Sequence, residues 1–186
     1  MFQFRADDTK KLVQLYGAKN VSDVSRRALR DTGNKTRTAV SKEVRKVYNV
    51  SAAKVREKSF LARSYGTKEQ VDLVYKDNRP NLGRFGTAAK SSPRVKIKKT
   101  GGTKVVKGGF RLLGRGTDEL IWKRLSAAEA ASPKYAGRKV KIKVLRTIAV
   151  PEMVRSLSGG GVLQKDIQAH YDSRFDYHFR RRLGLT

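Results

Sequence analysis

The chain has 186 residues, 38% of them hydrophobic, and its 43 Lys and Arg against 16 Asp and Glu give a formal net charge of +27. This length is enough for one hydrophobic core and short of two, so we expect a single domain over residues 1–186. A charge this large repels itself and predicts a polyanionic or acidic partner. The absence of cysteine excludes disulfides and thiolate metal sites, and no apolar run approaches the roughly 18 residues of a membrane span. The first residues lack the pattern of a signal peptide, so we expect assembly in a cytoplasm.

Residues 1–66 are predicted to be mainly helical. Phe2 and Phe4 alternate with polar residues, which predicts either a short strand or a terminal arm that buries two rings against a partner surface. Asp7 or Asp8 is expected to cap a short helix that carries Leu12, Val13, Leu15 and Tyr16. This helix is expected to end at Gly17, because glycine accepts the left-handed backbone that ends many helices.

A long basic amphipathic helix is predicted next, opening at Asn20 or Ser22. Its apolar positions recur at helical spacing while Lys and Arg occupy the other faces; these positions are Val24, Ala28, Val40, Val44 and Val47. Gly33 is expected to kink this helix, since glycine costs about 1 kcal/mol there relative to alanine. Ser51 is expected to cap a further short helix that ends near Lys58.

Residues 67–153 are predicted to form an antiparallel β-sheet with long hairpin loops. Strands are expected over residues 60–65, 71–75 and 120–124, and a Gly-Gly pair between two alternating runs predicts a hairpin of residues 95–98 with 104–106. Residues 139–144 alternate between Lys and Val or Ile, which predicts a strand with one basic face. Residues 83–93 contain little to bury and are predicted to form a mobile loop.

Residues 154–186 are predicted to form a C-terminal helix that begins near Val162. Its apolar residues recur at every fourth position, namely Leu163, Ile167, Tyr171, Phe175, Phe179 and Leu183. This stripe drifts around the helix, so the helix is expected to contact more than one neighbour, and the first four of these residues are expected to be buried.

Catalysis, cofactors and metals are not indicated. His170 and His178 lack the further ligands of a metal set, and we interpret them as ordinary surface or packing residues. The carboxylate pairs Asp7-Asp8 and Asp118-Glu119 are sequence neighbours whose side chains point apart on a strand. Trp122 is interpreted as a core residue rather than a base-stacking platform.

The basic strands are the one group of residues that indicates a binding function. Lysines at alternating strand positions stand about 6.6 to 6.8 Å apart, close to the phosphate spacing of a nucleic acid. Such a row suits backbone contact without base readout, although a solvated lysine face is an equally good interpretation. The candidate nucleic-acid-facing residues are Lys96, Lys98, Lys99, Lys104, Lys139, Lys141 and Lys143.

Several segments together resemble the minor tail protein Z family, the tail-completion proteins of long-tailed phages. The resemblance is carried by residues 25–58, Arg79-Pro80-Asn81-Leu82 with Phe85, Gly109-Phe110, Leu120 to Arg124, and Ala149 to Met153. It implies an α+β subunit in which a long basic N-terminal helix and a C-terminal helix pack on an antiparallel sheet. It also implies a homo-oligomeric ring, hexameric in that family, at the head-proximal end of the virion tail.

The partners that the resemblance implies are the tail terminator, tail tube or tape-measure protein and the head-tail connector, with non-specific contact to genomic DNA and no membrane. Phe2, Phe4, Phe179 and Leu183 are the candidate assembly-interface residues. The alternative is a cellular RNA- or DNA-binding protein, such as a ribosomal component, whose loops enter nucleic acid. Basicity is compatible with both interpretations.

Overall fold

Helices and small antiparallel sheets alternate along the chain in a computed structural model, which describes residues 9–65, 69–86, 89–113, 119–157 and 161–185. Within these ranges, the side chains of residues 9–11, 65, 113, 119 and 161–164 are not described. The helices are α1 Thr9–Tyr16, α2 Ala18–Val47, α3 Ala52–Glu57, α4 Ala127–Ala130, α5 Val150–Arg155 and α6 Gly161–Arg182. The strands are β1 Ser59–Tyr65, β2 Glu69–Tyr75, β3 Arg94–Val95, β4 Lys104–Val105, β5 Gly109–Leu113, β6 Glu119–Arg124 and β7 Ile142–Val144. This mixture of helices and small antiparallel sheets confirms the predicted α+β class.

The residues form two compact units that are not continuous in sequence. Unit 1 comprises residues 1–43, 52–76 and 154–186, and unit 2 comprises residues 44–51 and 77–153. The last turn of α2 therefore belongs to unit 2. The expectation of one domain over residues 1–186 stays a prediction.

Unit 1 is built on α2, which is a single uninterrupted helix. Its buried face continues through Thr32 and Thr36, which fill the gap between Ala28 and Val40 in the predicted apolar stripe. The helix begins at Ala18, earlier than predicted, directly after Gly17, whose φ of +80° ends α1 as expected.

Gly33 is better explained by packing than by the predicted kink, because a β-carbon there would lie 3.1 Å from Leu61 Cδ2 and 3.2 Å from Val71 Cγ1. The helix passes through this position without a break. The missing side chain makes room for the β1–β2 hairpin against α2.

The hairpin and α6 complete the core of unit 1. Strands β1 and β2, both predicted as strands, pair with each other antiparallel from Ser59↔Tyr75 to Tyr65↔Glu69. The core cluster joins α2, β2 and α6, with two partly buried residues packed on it: Ala28, Leu29, Val71 and Tyr171, then Leu61 and Phe175. In α6, Ile167 and Tyr171 are buried as predicted, Phe175 is only half-buried, and the side chain of Leu163 lies outside the described residues.

The described residues of unit 2 form two separate sheets rather than the one sheet predicted. Strands β5, β6 and β7 form an antiparallel sheet in that order, with the fully buried Ile121 in its central strand. Strands β3 and β4 pair antiparallel, so the predicted hairpin is confirmed, although each strand is only two residues long. Trp122 lies between Phe110 and Val144 in the register and is half-buried.

The prediction of a mobile loop with little to bury is wrong for residues 83–86 and 89–93, the part of this segment that the structure describes. Leu82–Phe85 form a turn of 3-10 helix, and both Phe85 and Pro93 are buried. The Lys96 N–H donates to the carbonyl of Phe85 at 2.9 Å, which ties this turn to the residues after β3. The segment was misread because two buried rings are hidden among Gly, Ala and Ser.

Candidate nucleic-acid interface

The positive charge is concentrated in unit 2. By sequence, this unit carries 21 Lys and Arg against 5 Asp and Glu, whereas unit 1 carries 22 against 11. Unit 2 is also the smaller of the two. It is therefore the part of the chain on which a polyanion would bind most strongly.

Backbone hydrogen bonds fix the lysine-rich segment after β3 in place. The Asn49 N–H donates to the Ile97 carbonyl at 2.8 Å, and the Lys99 N–H donates to the Val47 carbonyl at 2.8 Å. These bonds hold Lys96 to Lys99 against the end of α2 and the residues that follow it. The lysines consequently stand on a fixed backbone rather than on a free loop.

Exposure alternates along this segment as the sequence predicts for an extended chain. Arg94, Lys96 and Lys98 are exposed, whereas Val95 is buried and Ile97 is half-buried. We call Arg94, Lys96 and Lys98 the basic row. Lys98 Nζ also lies 5.9 Å from the centroid of the Tyr48 ring, a cation–π contact that positions one member of the row.

The other two predicted residues of this hairpin are exposed but stand apart from the row. Lys104 pairs with Val95, so its side chain leaves the face of the hairpin opposite to that of Arg94. Lys99 is exposed at the end of the anchored segment. Neither residue extends the basic row.

The second predicted lysine row, Lys139 to Lys143, is not formed. Strand β7 begins only at Ile142, and Val140, expected in the core, is 63% exposed. Lys139 is exposed in the turn before the strand. Lys141 Nζ donates to the carbonyl of Tyr135 at 2.9 Å, which keeps its ammonium group on the chain's own backbone.

Lys143 is ion-paired within the chain. Lys143 and Lys123 are directly opposite on β7 and β6, and the Glu129 carboxylate accepts a hydrogen bond from Lys143 Nζ. Ser126 and Glu129 form a capping box at the start of α4, which holds this carboxylate in position. The hydrogen bond from Lys143, followed by that from the Ser126 N–H, lowers the pKa of Glu129. Glu129 therefore relieves the repulsion between Lys143 and Lys123, and its pairing makes Lys143 a poor candidate for phosphate contact.

A tyrosine surrounded by basic groups was not anticipated from the sequence. Arg138 Cζ lies 5.1 Å and Lys134 Nζ lies 5.7 Å from the centroid of the Tyr135 ring. Tyr135 ends a 3-10 turn, and the Arg138 N–H closes back on its carbonyl at 3.3 Å. The signal available in the sequence was an aromatic residue with basic neighbours between Pro133 and Gly137.

Among the described residues, no group of three or more His, Asp or Glu could hold a metal ion, and both histidines contact side chains of α2. His178 Nε2 lies 2.9 Å from Asp31 Oδ2, and Arg174 donates to the same oxygen at 2.7 Å and 3.1 Å. His170 Nδ1 lies 3.4 Å from Thr32 Oγ1. The interpretation of both histidines as packing residues agrees with these contacts.

The four candidate assembly-interface residues differ in their contacts and exposure. Phe2 and Phe4, like Asp118 and the Asp7-Asp8 pair, lie outside the described residues. Phe179 contacts its own unit, with its ring centroid 5.0 Å from that of Tyr16 and 5.9 Å from that of Phe175. Leu183 is 38% exposed near the end of α6.

Comparisons with known proteins add no relative: no family model, curated protein or solved structure matches this chain. In the part of the chain that the structure describes, no helix is long and apolar enough to span a bilayer. Any assignment therefore depends on the residues described above.

Proposed function

We propose that this chain is a non-catalytic structural subunit of a long-tailed phage, a tail-completion protein that acts in the virion after assembly in the host cytoplasm. It forms a ring at the head-proximal end of the tail, connects tail to head and lines the path of the genomic DNA. The resemblance in the sequence supports the virion role. The observation that carries the DNA contact is the basic row of Arg94, Lys96 and Lys98, exposed on an anchored backbone.

The row suits phosphate contact without sequence readout. Lysine and arginine both contact phosphates without reading bases, and two lysines and one arginine on one extended segment can follow the backbone of a nucleic acid. No ion pair of Arg94, Lys96 or Lys98 is found within residues 9–65, 69–86, 89–113, 119–157 and 161–185. The positive ends of these side chains are thus available to an external anion, unlike those of Lys141 and Lys143.

The test is affinity against salt concentration for two unrelated DNA duplexes. Each lost phosphate contact lowers the salt slope of log affinity by about 0.9, so changing all three residues of the basic row to glutamine should flatten it by about 2.7 on both duplexes. The matched control changes Lys19, Lys35 and Lys42, exposed lysines of unit 1, to glutamine. An equal flattening in this control would show a diffuse charge effect and would refute the role of the row.

Lys143→Gln serves as a second control. Because Lys143 pairs with Glu129, its loss should leave the salt slope unchanged, and since this carboxylate is exposed to solvent, the effect on stability should be small. A flattening by about 0.9 in this variant would mean that Lys143 reaches DNA despite its internal partner.

The alternative, a cellular RNA- or DNA-binding protein, is favoured by Tyr135 with Lys134 and Arg138 around its ring. Aromatic rings among basic groups are typical of single-strand binding. Light scattering separates the two functions: discrete rings support the tail protein, and a monomer that co-purifies with RNA supports the alternative. Tyr135→Leu should weaken binding of single-stranded RNA only in the second case.

A further inference from the structure

A pocket of about 280 Å³ opens in unit 1 between the first part of α2 and the last part of α6. Its lining contains three arginines, a histidine and one carboxylate. The lining residues are Asp23, Val24, Arg27, His178, Arg181 and Arg182. All three arginines are exposed, and positive charges around one recess repel each other unless an anion offsets them.

The arginines of the pocket are largely free of internal partners. Arg182 donates through Nε and Nη2 to Asn20 Oδ1 at 3.3 and 3.0 Å, which orients its guanidinium and leaves its third nitrogen uncommitted. Among the described residues, no ion pair or hydrogen bond of the Arg27 or Arg181 side chain is found. The pocket therefore presents guanidinium donors that are not neutralised by the described residues.

A contact with Asp31 holds the ring of His178 in one orientation. The Asp31 carboxylate accepts hydrogen bonds from Arg174 and is therefore ionised, so His178 Nε2 must carry the hydrogen in their 2.9 Å contact. Arg174 and Asp31 act here as positioning residues and do not line the pocket.

We propose that this pocket binds a terminal phosphate group, either free phosphate or the phosphate of a small monoester. Guanidinium groups bind phosphate oxygens through paired hydrogen bonds, which three arginines from two helices supply from different directions. A recess of this volume suits a phosphate that enters end-on, whereas the phosphodiester of a duplex is flanked by neighbours that need a continuous groove.

Asp23 also lines the pocket, and its negative charge should repel a phosphate. No ion pair of Asp23 is found within the described ranges. Removing its charge should therefore strengthen phosphate binding. A gain of affinity on deleting a charged residue is difficult to explain by damage to the fold.

The experiment is calorimetric titration of the full chain with inorganic phosphate and separately with a nucleoside monophosphate. Arg27→Gln and Arg181→Gln should each weaken binding about tenfold or more, since a hydrogen bond to a charged group is lost, and Asp23→Asn should tighten it. The matched controls are Arg30→Gln on α2 and Arg180→Gln on α6, exposed arginines that do not line the pocket. These controls should bind phosphate as the unchanged protein does.

The proposal is overturned if phosphate fails to bind, or if the controls weaken binding as much as the pocket variants. It is also overturned if neither inorganic phosphate nor the nucleoside monophosphate binds, while a DNA duplex does and its binding depends on Arg181. The ligand of the pocket would then be a nucleic-acid backbone. The pocket and the basic row belong to different units, so the variants that test one leave the other intact.

Discussion

The contact between Gly33 and the β1–β2 hairpin allows a test in which two opposing effects have known sizes. Replacing glycine by alanine inside a helix favours the helix by about 1 kcal/mol. Against this, the new methyl group would lie 3.1 Å from Leu61 Cδ2, 3.3 Å from Leu61 Cδ1 and 3.2 Å from Val71 Cγ1. Overpacking of this kind costs about 1 to 3 kcal/mol.

The neighbours of Gly33 have little freedom to move away. Both methyl groups of Leu61 are close, so rotating that side chain exchanges one contact for the other. Val71 is buried and β-branched, which leaves it few rotamers. Sterics should therefore outweigh helix propensity, and we expect Gly33→Ala to lower the free energy of unfolding by about 1 kcal/mol.

Urea unfolding followed by circular dichroism gives the free energies, and a double-mutant cycle identifies the cause. In a Leu61→Ala background the new methyl group gains space, so Gly33→Ala should become neutral or stabilising. Asn34→Ala, at the exposed neighbouring position, reports the helix-propensity effect without the hairpin. If Gly33→Ala stabilises the unchanged protein by about 1 kcal/mol, the reasoning about close packing is refuted.

Two further predictions concern unit 1. Burial raises the pKa of Asp31, but the hydrogen bonds from Arg174 and His178 outweigh it and hold the pKa below its usual range. The stability that this carboxylate contributes is thus present above its unfolded pKa of about 3.9 and lost as the pH falls through the folded value, so unfolding of Asp31→Asn should depend less on pH below about pH 4. Phe175→Ala should cost less than about 3 kcal/mol because the ring is only half-buried, and Tyr171→Ala should cost more; equal shifts in melting temperature would contradict this ranking.

The features that were predicted correctly depend on local patterns. Helical spacing and Gly17 located α1 and α6, and residues 60–65 and 71–75 were both predicted as strands, although their pairing with each other was not predicted. The exposure of Lys96 and Lys98 followed from the same alternation. In each case the neighbours in sequence are also the neighbours that decide the structure.

The features that were missed depend on partners distant in sequence. The lysines at 139–143 alternate with apolar residues as a strand requires, yet Lys141 and Lys143 form hydrogen bonds with Tyr135 and Glu129. The alternating pattern predicts neither of these bonds. Gly33 suggested a kink because the hairpin against it lies some thirty residues further along. The arginine pocket needs residues from both ends of unit 1, and no spacing rule brings them together.

The division of unit 1 into three stretches has a consequence for synthesis on the ribosome. Contacts such as Arg174 with Asp31 join residues 143 positions apart, so the core of unit 1 cannot close until α6 has left the exit tunnel. The entropy of closing so long a loop grows only with the logarithm of its length, and it is a modest cost once α6 is available. Until then α2 and its hairpin expose the surface that α6 will cover, while unit 2 has all of its residues by position 153. Nascent chains should therefore complete unit 2 first and depend on chaperones for unit 1.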